Sequence, residues 1–128
     1  MSSEWAEAAA PLTGRLPGIP GLNGGTVSLA VSGGKRQEAG IHWSYRDGKP
    51  LPGEAGVDAQ ADLVLLLASD DAIDVIRGDV EPSVSFMRGR LKASGDGALL
   101  LRFLESTTQA GFGEWREGVA SLAAETNS

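Results

Sequence analysis

Two stretches of strict alternation lie close together in this chain and constrain its fold more than any other feature. Val27, Leu29 and Val31 alternate with Ser28, Ala30 and Ser32, and Ile41, Trp43 and Tyr45 alternate with His42, Ser44 and Arg46. Successive side chains on a strand point to opposite faces, so each run describes a strand with one buried face. Gly33-Gly34 lies between them and predicts a hairpin. Lys49 to Val57 holds two Pro and two Gly and reads as loop or a ragged edge strand. Ala61 to Ala68 is nearly all apolar, which predicts a third, central strand.

After residue 68 the period changes. Ser69-Asp70-Asp71 supplies N-cap residues ahead of Ala72, Ile73, Val75 and Ile76 at helical spacing, with Gly78 as a stop. Pro82 suits a first helical turn running to Met87, and Gly89 releases the chain into a strand over Arg90 to Ser94. Beyond Gly95-Asp96-Gly97, the spacing of Leu99, Leu100, Phe103 and Leu104 predicts a helix over 98–105. Trp115, Val119 and Leu122 predict a terminal helix over 113–125. At the other end, residues 1–10 fit a short helix, and 11–25, with three Pro and five Gly, read as a connecting segment or surface arm. Residues 1–23 are thus expected as an arm and 24–128 as a single domain. Strands first and helices later predict an α+β fold, an antiparallel sheet covered by helices on one face.

With 128 residues there is room for one core. The absence of Cys removes disulfides, thiolate nucleophiles and Cys-ligated metals. A single His, His42, excludes a multi-histidine metal site within one subunit. A net charge of −6 opposes binding to phosphate backbones, so nucleic acid is not an expected partner. The longest apolar run, Leu63 to Ala68, falls far short of the roughly 20 residues a spanning helix needs. Stable membrane insertion is therefore not expected. Glu4 and Glu7 stand where a secretory signal would carry basic residues, and the expected location is cytoplasmic.

Residues that could carry chemistry are few. His42 lies on the face opposite Trp43 and Tyr45, which suits a structural or solvent-facing role better than a catalytic base. Asp70, Asp71 and Asp74 lack the spacing of a calcium loop, and interaction with a helix N-terminus explains them more simply. Gly33-Gly34-Lys35-Arg36 lacks the first Gly and the Ser or Thr of a phosphate loop, and Gly24-Gly25 precedes a strand where a dinucleotide turn follows one. No nucleotide or other cofactor is expected. Arg88, Arg90 and Lys92 make the only concentrated basic stretch, read either as a solvated strand face or as a landing patch for an anionic partner.

The segment from Ser69 to Gly78, followed by Pro82, Phe86 and Gly89-Arg90-Leu91-Lys92 closed by Gly95-Asp96, resembles the sterol carrier protein type 2 family. The resemblance covers roughly residues 24–105. It implies a five-stranded, mainly antiparallel sheet with an apolar cavity between sheet and helices, holding a fatty acid, acyl-CoA, sterol, terpenoid or polyketide. On that footing the expected ligand-binding residues are Trp43, Leu65, Ile76, Phe86, Met87, Leu91, Leu100, Phe103, Leu104 and Phe112, with no catalytic or metal-binding residue. The ending Thr126-Asn127-Ser128 is no peroxisomal address, which fits a bacterial-type stand-alone domain. Two other readings stay open. One is a small isomerase or cyclase using the same cavity, with Tyr45, His42 or a buried Asp handling protons. The other is an accessory module with a collapsed pocket that docks on a partner enzyme. A homodimer or a partner enzyme stands among the expected partners.

Overall fold

The structure, a computed structural model, describes residues 3–32 and 39–126. The chain opens with helix α1 (Ser3–Ala9) and a 3-10 turn (Ala10–Arg15). Strands β1 (Thr26–Ser32) and β2 (Ala39–Arg46) follow, then the two-residue strands β3 (Lys49–Pro50) and β4 (Glu54–Ala55), and β5 (Leu63–Ala68). Helices α2 (Ser69–Ile76) and α3 (Pro82–Met87) come next, then β6 (Lys92–Gly95), α4 (Gly97–Ser106) and α5 (Ala110–Thr126). The fold is α+β, as the order of periodicities predicts. The expected Gly33-Gly34 turn lies outside the described residues.

The sheet runs β3-β2-β1-β5-β6, with β4 also paired to β2. All pairings are antiparallel except β1 with β5. That exception follows from the path of the chain. After β4 it crosses the back of the sheet, where the Gly56 N–H donates to the Gly40 carbonyl at 2.8 Å and the Asp58 N–H to the Ser28 hydroxyl at 2.9 Å. It then enters beside β1 in the same direction. The crossing also covers Ser28 and Ala30, both expected on a wet face but buried.

Local chemistry sets most element ends. Pro82 occupies the first turn of α3, where its missing N–H costs nothing. Asp96 caps α4, its Oδ1 accepting from the N–H groups of Ala98 at 2.9 Å and Leu99 at 3.1 Å. Gly78 ends α2 at φ +83°, a conformation that favours glycine. The start of α2 differs from expectation: Ala68 is the N-cap, and Asp70 and Asp71 lie in the first turn, where they face the positive end of the helix dipole. Gly95 has φ +114° and approaches the Asp62 carbonyl so closely that a Cβ would overlap it.

The N-terminal segment contributes to the core instead of lying over it. Trp5, Ala9, Leu16 and Ile19 are buried in the same apolar cluster as the sheet. Backbone bonds hold the Pro/Gly-rich stretch along β2: Ile19 N–H to Gly48 O at 2.8 Å, Gly24 N–H to Tyr45 O at 2.8 Å, and Tyr45 N–H to Gly25 O at 3.1 Å. Proline and glycine prevent regular structure there without preventing burial.

Candidate binding cavity

The sheet register puts Val27 opposite Trp43 and Leu63, Leu29 opposite Ile41 and Leu65, and Val31 opposite Leu67, all on one face. Helices cover this face, and a cavity of about 60 Å³ lies between the layers. Its floor is Leu29, Val31, Trp43, Leu65 and Leu67. Ala72, Val75 and Ile76 of α2 form one wall, continued by Pro82 and Leu91. Phe103 of α4, Phe112 and Trp115 of α5, and Trp5 and Leu16 of the N-terminal segment complete it. No lining residue is titratable. The chain has three tryptophans, and all of them line this space.

Aromatic contacts hold the wall. Trp43 and Phe103 have ring centroids 6.0 Å apart at 50°, and Phe112 stacks on Trp115 at 5.5 Å. The Arg116 guanidinium lies 5.2 Å from the Phe112 ring centroid and pairs with Glu81 at 3.6 Å.

Of the residues expected to bind a ligand, the structure gathers Trp43, Leu65, Ile76, Leu91, Phe103 and Phe112 around the cavity. Leu100 and Leu104 are buried in the core but outside the lining. Phe86 is half-buried and packs against the core without reaching the cavity. Met87 departs furthest from expectation, being 84% exposed. In the six-residue α3, Pro82 and Ser85 are the buried positions, and Met87 is roughly 200° around the helix from Ser85. Sequence reasoning missed Trp5 and Leu16 because the Pro/Gly-rich stretch 11–25 made the whole N-terminal segment read as an arm; a lone Trp followed by Ala6, Ala9 and Ala10 at helical spacing was the available signal.

The candidate acid–base groups stand away from the cavity. His42 lies on the opposite sheet face, with Nδ1 2.9 Å from the Gly56 carbonyl oxygen and Nε2 3.8 Å from Glu54. Tyr45 is buried on the covered face but does not line the cavity. Burial pushes its hydroxyl above the usual tyrosine range, and the neighbouring Trp43 indole exerts a smaller opposing pull. The two groups do not meet in hydrogen-bond geometry, so Tyr45 Oη and Trp43 Nε1 are buried without a partner. Asp71 pairs with Arg90 at 3.3 Å. Among the described residues no three metal-ligating side chains cluster.

Comparison with known proteins adds to this geometry. The model of the SCP-2 sterol transfer family matches residues 14–105. The hydroxysteroid dehydrogenase-like protein 2 of Xenopus tropicalis is 32% identical over 80 residues, 61% of this chain. This chain spans only 18% of that protein's length. A crystal structure of sterol carrier protein 2 superposes with a TM-score of 0.65 at 19% identity, over 92% of this chain and 95% of that one. A solution structure of palmitated SCP2L2 from Aedes aegypti gives 0.63 at 18% identity, over 82% and 93%. At such identities the superpositions speak for the fold.

Proposed function

The chain belongs to the SCP-2 sterol transfer family, and we propose that it binds and transfers one apolar, lipid-like molecule between its sheet and helices, without chemistry of its own. The observation that carries this reading is the cavity wall: fifteen residues from both layers, with no charged side chain among them. Such a wall holds a ligand by burial, at about 25 cal/mol per Å² of apolar surface, with few directional contacts. Breadth of ligand follows from that. The ligand classes are fatty acid, acyl-CoA, sterol, terpenoid or polyketide. The palmitated state of the Aedes aegypti protein supports the acyl-chain end of the range.

The small volume sets a condition. About 60 Å³ is less than the roughly 150 Å³ of an engineered cavity that takes up benzene. An acyl chain enters only if the layers part. The same small volume supports a second reading, an accessory module whose collapsed pocket serves packing while its surface docks on a partner enzyme. The isomerase or cyclase reading lacks support in the wall, which offers no group to move a proton.

Native mass spectrometry of the purified chain, followed by displacement of a fluorescent acyl probe, separates these readings. A co-purified lipid, or saturable probe binding that shifts tryptophan emission, is the expected result. A chain that carries nothing and ignores fatty acid, acyl-CoA and sterol probes overturns the carrier reading in favour of the accessory module.

A further inference from the structure

The three tryptophans of the cavity wall differ in one respect. Trp5 Nε1 donates to the Val119 carbonyl at 3.1 Å. Trp43 Nε1 and Trp115 Nε1 are buried with no hydrogen-bond partner among the described residues, on side chains of residues only 4% and 8% exposed. Trp43 has one polar neighbour, the hydroxyl of Tyr45, itself buried and without a partner. An indole offers a donor and no acceptor, whereas a phenol offers a donor and an acceptor oxygen. Even if Trp43 turned to donate to Tyr45, the phenol hydrogen would be left over, and Trp115 would be as before. The surroundings of the cavity are thus short of acceptors. Buried polar groups are nearly always hydrogen-bonded, and a buried donor left without an acceptor is costly.

Given the carrier reading, on which this rests, we infer that the ligand carries a neutral carbonyl oxygen, as a ketone or ester, which accepts from the unpaired indole N–H of Trp43, of Trp115, or of both. The other oxygen chemistries match less well. A saturated hydrocarbon brings no acceptor. A hydroxyl brings an acceptor together with one more donor, which renews the excess. An ionised carboxylate brings acceptors and a charge, and no lining residue carries a charge to meet it. Arg116, next to Trp115, lies outside the lining and is paired with Glu81. A carbonyl is an acceptor only and carries no charge. Burial then supplies most of the affinity, and the two indoles supply orientation and selection.

The test is the proton–nitrogen correlation spectrum of the ligand-free full chain, in which the three tryptophans give three indole N–H signals. The chain is titrated with methyl undecyl ketone, tridecane and tridecanoate, which have equal chain length. With the ketone, the signal of Trp43, of Trp115 or of both moves downfield of its position with tridecane, whereas that of Trp5, already bonded to Val119, does not. Tridecanoate, ionised at neutral pH, leaves the signals where tridecane leaves them. Replacing the indole whose signal moves, by Trp43→Phe or Trp115→Phe, lowers the ratio of ketone affinity to tridecane affinity about five-fold, the worth of one neutral hydrogen bond. Displacement of a fluorescent acyl probe reads these affinities and separates two failures. If the ligands displace the probe but no indole signal departs from its tridecane position, the carbonyl assignment falls and the carrier reading stands. Equal movement with tridecanoate, or an affinity ratio unchanged in the variant, also overturns the assignment. If neither the probe nor any of the three ligands binds, both fall.

Discussion

The indole N–H of Trp5 donates to the backbone carbonyl of Val119 at 3.1 Å, joining α1 to α5 across 114 residues of sequence. Both residues are buried, and Trp5 also lines the cavity. The two ends of the chain therefore close one wall together.

Trp5→Phe keeps most of the buried ring and removes the hydrogen bond, at a cost of about 1 kcal/mol. Thermal unfolding should move down by about 4 °C. Trp5→Ala also removes the ring and should cost about 3–5 kcal/mol. A surface arm would show neither loss, so circular dichroism melts of the two variants distinguish an arm from a wall.

The cavity can be filled or enlarged from opposite sides. Ala72 and Leu65 both line it and are 2% and 3% exposed. Ala72→Leu inserts a larger side chain at a cost of about 1–3 kcal/mol, and should lower acyl-probe affinity at least ten-fold. Leu65→Ala should cost about 2–5 kcal/mol of stability while leaving probe affinity equal or higher. Fluorescence titration reads both, since Trp5, Trp43 and Trp115 all border the space.

Tyr45 predicts a pH dependence. Burial raises its folded-state pKa above the ordinary 10.0, so above about pH 10 the unfolded chain releases the tyrosine proton more readily than the folded one. The stability this group contributes is complete below that pH and is lost as pH rises towards the folded-state value. Tyr45→Phe should remove that part of the alkaline slope. Its hydroxyl has no hydrogen-bond partner, so the substitution should change neutral-pH stability by less than about 1 kcal/mol. Urea titrations at pH 7 and pH 10.5 measure both effects.

Asp96 supplies the acceptor for two N–H groups at the start of α4, the helix that carries Phe103 to the cavity. Asp96→Ala should cost about 0.5–2 kcal/mol, and Asp96→Asn, which keeps an acceptor oxygen, much less. Chemical denaturation of the two variants checks the difference.

Local chemistry was legible before the fold was known. Alternation over 26–32 and 39–46 marked two strands and assigned Ile41, Trp43 and Tyr45 to one face, because a strand's faces follow from covalent geometry alone. Pro82 and Gly78 likewise act within a few residues of themselves. The spacing around Gly89, Leu91 and Gly95-Asp96 carried the family resemblance for the same reason: those residues serve local turns and ends.

What opposes a face is another matter. Periodicity gave α4 a buried side and the family resemblance put Met87 at the cavity, but only packing decided that Phe103 reaches it, that Leu100 and Leu104 stop short of it, and that Met87 points to solvent. The parallel entry of β5 beside β1 depended on a crossing behind the sheet that no local signal encodes. The burial of Trp5, Leu16 and Ile19 depended on partners more than twenty residues away in sequence. Periodicity and local turn chemistry set which elements form and which strand face of Val27, Ile41 and Trp43 is apolar; packing set which faces meet, which further residues such as Ser28 and Ala30 are covered, and how little space remains, because burial is non-directional and names no partner.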